Sequence, residues 1–114
     1  MHKLVVLYPA PVDPAAFVDY YESQHLPLAA QLPGLLDWRH STEIQPGPDG
    51  SAAPYFAIFE AEFADAAAFR AAMASEIGQA VAADVPRYAT GGATVIDYPV
   101  LDHPDHPVLE GSAS

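Results

Sequence analysis

The 114-residue chain has no cysteine. That excludes disulfides, thiolate metal sites, iron–sulfur clusters and a cysteine nucleophile, and leaves acid/base chemistry to His, Asp, Glu or Tyr. Cations are scarce: 4 Lys plus Arg stand against 15 Asp plus Glu, a net charge of -11. Lys3, Arg39, Arg70 and Arg87 are scattered, so nucleic acid and anionic membranes are poor partners for this field. Solubility is the ordinary reading of such acidity. Long apolar runs are missing too. Nothing approaches the roughly 20 apolar residues of a membrane span, and the run Leu4 to Leu7 is cut short by Pro9, Pro11 and Asp13, too early for a secretory core. A soluble cytoplasmic protein is expected. The length fits one domain, and so short a chain gains from a partner subunit that enlarges its core.

What is present reads as alternating elements. "HKLVVLY" (2–8) is β-branched and aromatic, with apolar side chains on both faces, which suits a strand covered on two sides. Asp13 then caps a helix with Pro14 at its first position. On a 3.6-residue period Phe17, Tyr21, Gln24, Leu28 and Leu32 share one sector, with Val18 and His25 on its edge. Pro27 has no N–H for the Ser23 carbonyl, so the helix should bend or loosen around His25 before Pro33-Gly34 ends it.

"LLDWRHSTEI" (35–44) alternates as a strand with Leu36, Trp38, His40, Thr42 and Ile44 on one side. The loop "QPGPDGSAAP" holds two glycines and three prolines in ten residues, and a third strand, "YFAIFEAEF" (55–63), puts Glu60 and Glu62 on the same face as Phe56 and Ile58. Asp65 caps a second helix that restarts after Ser75 and runs until Pro86. Gly91-Gly92 turns into a last strand, roughly 93–98. The order is the ferredoxin-like β-α-β-β-α-β arrangement, an α+β fold. Helices on one face of a four-stranded antiparallel sheet leave the other face bare, and the apolar groups there predict a homodimer pressed sheet to sheet. Residues 1–98 form this domain; 99–114 form a Pro-rich tail, extended and able to lie over a partner surface.

"AFVDYYESQHLPLAAQLPGL" (16–35), with its His-x-Pro-Leu and Leu-Pro-Gly-Leu, resembles the EthD family of the dimeric α+β barrel superfamily. "AFRAAMASEIGQAVAADVPRYATGG" (68–92) is similar to that family's second block, an alanine-rich helical pair before a Gly-Gly turn. The likeness spans roughly residues 2–98, and departs at "SEIGQ", where Pro-Glu-Gly would follow the serine. It implies the fold and the dimer. For activity it implies only a range, since fold does not dictate chemistry: superfamily members include lactone isomerases, cofactor-free oxygenases, dehydratases and haem-handling enzymes. Some family members are labelled reductases, yet nothing in this chain resembles a nucleotide-binding loop.

His25 matches the family histidine, and at a proline-perturbed turn loosened carbonyls would favour its imidazolium, suiting it to act as general acid or base. The competing structural role is a ring hydrogen bond to a backbone carbonyl that locks the kink. Trp38 and His40 share a strand face and could wall a pocket for a flat apolar ligand. Tyr8, ending the first strand, could donate to a carbonyl, and Tyr21 on the packed helix face is grouped with them. Glu60 could serve in the cleft or pair with Arg39. "DHPDHP" (102–107) invites a metal, but its prolines argue for tail composition, so no metal site is expected. No serine occupies a strand-to-helix elbow, which removes a Ser-His-Asp triad. The expectation is a homodimeric enzyme that binds an apolar cyclic or aromatic carbonyl compound, with His25 catalytic and Tyr8, Tyr21, Trp38, His40 and Glu60 around the substrate. Its chemistry would be proton transfer of isomerase, oxygenase or dehydratase type, needing no cofactor. The alternatives are a non-catalytic small-molecule binding or accessory protein of a catabolic or biosynthetic pathway, and haem binding through His25 or His40.

Overall fold

β1 (His2–Tyr8) is a central strand of a four-stranded antiparallel sheet, in a computed structural model that describes residues 1–103. It pairs on one side with β3 (Ala57–Phe63), from His2 opposite Phe63 to Tyr8 opposite Ala57, and on the other with β4 (Thr94–Pro99). β2 (Asp37–Ser41) lies outside β3, so the order is β2-β3-β1-β4, as the ferredoxin-like arrangement requires. The Val100 N–H continues the β4 pairing to the Met1 carbonyl at 2.9 Å.

The period of two along each strand sorts the faces. Leu4, Val6 and Tyr8 of β1 and Ala57, Phe59, Ala61 and Phe63 of β3 are buried beneath the helices. Lys3, Val5 and Leu7 point the other way, beside Glu62, Glu60 and Ile58 in register. On that uncovered face Ile96 and Tyr98 of β4 stay 44% and 40% exposed. β2 is shorter than the alternation over 35–44 predicts, because as an edge strand it pairs only with β3; the Leu36 N–H still reaches the Glu62 carbonyl at 2.9 Å.

The first helical segment is made of three pieces. α1 (Pro14–Tyr20) begins as expected, with Asp13 Oδ1 accepting the Ala16 N–H at 3.1 Å. A π-helical turn follows over Tyr21–His25, in which the Leu26 N–H bonds the Tyr21 carbonyl, and α2 (Leu26–Ala29) completes the segment. The missing Pro27 donor is the cause: Pro27 has no N–H to offer the Ser23 carbonyl, and the wider turn relieves the crowding around it.

The extra residue in that turn corrects the helical-wheel expectation. Beyond Tyr21 the buried positions move from Gln24 and Leu28 to His25 and Ala29, so the stripe runs Phe17, Tyr21, His25, Ala29 and Leu32, with Leu26 beside it. Gln24 is exposed and Leu28 only half-buried. His25 therefore moves from the edge of the stripe into its middle.

α3 (Ala66–Ala74) is capped by Asp65, whose Oδ1 accepts the Ala68 N–H at 2.8 Å. Ser75 adopts extended backbone, ends α3 and caps α4 (Glu76–Asp84) through its Oγ on the Gly78 N–H at 3.0 Å. Gly78 lets the two helices touch, since a Cβ there would collide with the backbone of Ala72 and Met73. Pro86 sits in a short 3₁₀ turn, Val85–Arg87, that carries the chain to Tyr88. No described helix is long and apolar enough to cross a membrane. The tail from residue 104, with most of "DHPDHP", lies outside the described residues.

Candidate functional site

A cavity of about 130 Å³ lies between the helix-covered sheet face and the helices. β1 contributes Leu4, Val6 and Tyr8, β3 Phe59, β4 Val95, and the first helical segment His25 and Ala29, with Leu32 just beyond. α3 adds Phe69 and Met73; α4 and the following turn add Val81, Ala82 and Val85. His25 and Tyr8 are its only ionisable walls among the described residues. A larger groove of about 770 Å³ along α1, lined by Pro14, Ala15, Ala16, Val18, Asp19, Glu22 and Phe56, is shallow and open to solvent. An enclosed apolar space with a few convergent polar groups is the better binding site.

His25 is 3% exposed, and its Nδ1 lies 2.9 Å from Asp84 Oδ2. The other carboxylate oxygen, Oδ1, accepts the Tyr20 hydroxyl at 2.6 Å and has Arg87 Nε at 3.9 Å. One carboxylate thus ties together the last residue of α1, the end of the π turn and the last residue of α4. A carboxylate at a helix C-terminus opposes the helix dipole and needs such partners. Burial works to raise the Asp84 carboxyl, but the hydrogen bonds from Tyr20 and His25 outweigh it and hold it below its ordinary range. It is therefore an anion that only accepts, and the proton of the neutral imidazole belongs on Nδ1. Nε2 is left with its lone pair and makes no hydrogen bond among the described residues.

This geometry corrects the expected imidazolium. Burial pushes the His25 pKa down, and the hydrogen bond and charge of Asp84 recover only part of the drop. The ring is not bonded to a backbone carbonyl either; its Nδ1 bonds a side chain 59 positions away. The pair is the arrangement that orients a histidine base.

Three phenols surround this dyad. The Tyr8 and Tyr88 hydroxyls are 2.6 Å apart, and the Tyr88 ring centroid lies 4.6 Å from that of His25. Tyr21 stacks on His25 at 5.8 Å with planes 13° apart, and its ring centroid is 5.5 Å from that of Tyr8. The Tyr21 hydroxyl is buried and makes no hydrogen bond of ordinary geometry among the described residues. Burial drives Tyr8 up to about 12 against the opposing hydrogen bond from Tyr88. It drives Tyr21 and Tyr88 higher, with Tyr8 adding to the rise. All three are neutral donors near pH 7, and Tyr8 is the most acidic of them.

Of the residues anticipated from sequence, His25 and Tyr8 line the cavity together and Tyr21 backs the imidazole. Trp38 and His40 do not line it. They occupy the helix-side face of β2, opposite Ala61 and Phe59, with ring centroids 6.1 Å apart. Trp38 packs over Phe59 at the same centroid distance, and His40 Nε2 is 4.0 Å from Glu22 at the surface. Glu60 lies on the opposite face of the sheet, where it accepts from Lys3 Nζ at 3.1 Å; Arg39 pairs instead with Asp37 at 2.6 Å. A space of about 130 Å³ is smaller than a porphyrin. Asp84, Tyr88 and Tyr20 were not anticipated. Their signal was faint: Val81, Asp84, Val85 and Tyr88 share one helical face, which places a carboxylate among apolar neighbours.

The EthD domain model matches residues 9–92. An uncharacterised 11.0 kDa protein of Rhodococcus erythropolis, from its thcB-thcC intergenic region, is 35% identical over 96 residues, which cover 84% of this chain and 91% of that protein. The crystal structure of an EthD family protein from Bacillus halodurans superposes with a TM-score of 0.81 at 28% identity, covering 89% of this chain and 99% of that one. A dimeric ferredoxin-like protein of unknown function from Thermobifida fusca shares the fold alone, with a TM-score of 0.68 at 14% identity over 87% of this chain and 90% of that one.

Proposed function

The chain belongs to the EthD family, and from its buried dyad we propose that it is a proton-transfer enzyme acting on an apolar carbonyl compound held in the sheet–helix cavity. The observation that carries this is the His25–Asp84 contact at 2.9 Å, which leaves the other imidazole nitrogen unbonded on a ring that lines the cavity. His25 Nε2 takes a proton from the carbon next to the carbonyl. The C–H electron pair becomes the new C=C bond, and the developing oxyanion accepts a hydrogen bond from Tyr8. Return of the proton from His25 to the same or another carbon completes an exchange or an isomerisation, with no electron acceptor required. Asp84 touches no substrate; it positions the imidazole and stabilises its cation. We also infer that a second copy covers the open sheet face at Ile96 and Tyr98; the Thermobifida fusca protein with this fold is dimeric.

Deuterium exchange tests the reaction. Cyclohexanone in D₂O should lose its α-protons faster with the protein than in buffer, and His25→Gln should lower that rate by about 10²–10⁴-fold while remaining folded by circular dichroism. An unchanged rate in His25→Gln would overturn the assignment.

A further inference from the structure

We infer that the ligand is a neutral molecule with one ring and a single polar end, and that Met73 sets this size limit. The inference rests on the cavity being the substrate site, as proposed above, but it concerns what binds rather than what reacts.

The cavity is polarised along β1. Leu4, Val6 and Tyr8 point into it in succession, and at about 3.3 Å per residue the first and last of these are roughly 13 Å apart. Among the described residues Tyr8 and His25 are its only walls with hydrogen-bonding side chains. The Leu4 end is closed by Phe69, whose ring is held between Phe63 at 5.6 Å and His2 at 5.3 Å. A ligand oxygen therefore belongs against Tyr8 and His25, with hydrocarbon toward Phe69. Among the described residues no Lys or Arg lines the cavity, and the Asp84 anion stands behind His25. A carboxylate or phosphate would be desolvated there without a counterion.

The volume sets the size. An apolar cavity of ~150 Å³ takes one benzene, and this one is about 130 Å³. The helical wall cannot swell freely, because Gly78 brings α4 onto the backbone of α3 at Ala72 and Met73. Val95, 60% exposed, and Ala82 mark the mouth between β4 and α4. Met73 is the flexible, half-buried member of the wall, and the one whose truncation adds room without touching the polar end.

Titration of the wild-type protein followed by NMR would test this with cyclohexanone, 2-tetralone and cyclohexanecarboxylate. Saturable binding of cyclohexanone is expected, with the bicyclic ketone and the carboxylate each weaker by at least about tenfold. Met73→Ala should bring 2-tetralone to parity with cyclohexanone, and the volume-conserving Met73→Leu should keep the original preference and confirm that folding is intact. Equal binding of 2-tetralone to the wild type, comparable binding of the carboxylate, or no binding of cyclohexanone would each overturn the inference. Cyclohexanone that binds without α-exchange would sink the proposed reaction and leave the size limit standing. Rapid exchange of 2-tetralone with equal affinity would do the reverse.

Discussion

Replacing Asp84 with Asn keeps the shape of the side chain and removes its charge, which isolates what the carboxylate does for His25. In the wild type both carboxylate oxygens accept, one from His25 Nδ1 at 2.9 Å and one from Tyr20 at 2.6 Å. An amide has one acceptor. If its oxygen stays with Tyr20, its NH₂ faces Nδ1, and two donors meet unless the imidazole moves its proton to Nε2. That move removes the lone pair on the nitrogen proposed to act as base. If the oxygen turns to His25, the tautomer survives but a charged hydrogen bond becomes a neutral one. At this 8% exposed position the exchange should lower stability by about 1–2 kcal/mol, the difference between bonds of roughly 1.5–3 and 0.5–1.5 kcal/mol.

The His25 titration gives a sharper reading. Both effects of Asp84 on His25 raise its pKa against burial, so their loss must lower it further below 6.5. Long-range ¹H–¹⁵N correlation through a pH series should find Nδ1 protonated and Nε2 bare in the wild type, with a midpoint below 6.5. In Asp84→Asn the midpoint should fall again, and α-deuteration should slow by about 10²-fold or more. Stability follows the same signs. Because the folded-state His25 pKa is depressed, its contribution is complete above pH 6.5 and is lost as pH falls through the folded pKa. The depressed Asp84 pKa contributes fully above 3.8 and is lost further down; Asp84→Asn should abolish that lower phase and deepen the His25 one. A wild-type Nε2–H tautomer, or a His25 midpoint that rises in Asp84→Asn, would refute the reasoning.

Other perturbations probe other parts of the molecule. Tyr21→Phe deletes a buried hydroxyl that lacks a bond, so urea unfolding should show no loss and up to about 1–3 kcal/mol of gain; a loss above about 1 kcal/mol would mean that the hydroxyl is bonded. Gly78→Ala gains about 1 kcal/mol of helix propensity. It should nonetheless destabilise by about 1–3 kcal/mol, because the methyl meets the α3 backbone, and a stabilised variant would deny that close approach. Ile96→Glu places a charge on the open sheet face and should convert a dimer to a monomer in sedimentation, with unchanged mass counting against that face as the interface.

Local signals were readable wherever a single stretch of chain decides its own conformation. β1 has the bounds its composition implies, and Asp13, Asp65 and Ser75 cap the helices that follow them. Strand alternation also placed Trp38, His40 and Glu60 on their correct faces. It could not say which part of a face the helices would enclose, and an edge position in β2 leaves Trp38 and His40 beside the cavity rather than in it. Asp84 was out of reach for a related reason: nothing near it in the sequence announces a histidine 59 positions earlier.

Between these limits lies the segment around Pro27, where a local cause has a distant effect. The proline predicted a loosened turn, yet a wheel drawn at 3.6 residues still put Gln24 in the packed stripe. One added residue in the π turn sends Gln24 to solvent and brings His25 inward, which is what lets α4 dock its terminal carboxylate on the ring. In a regular helix the Gln24 amide would occupy that place, and an amide has no basic lone pair to offer a substrate. The proline thus acts through helix geometry, by deciding which side chain stands between Asp84 and the cavity.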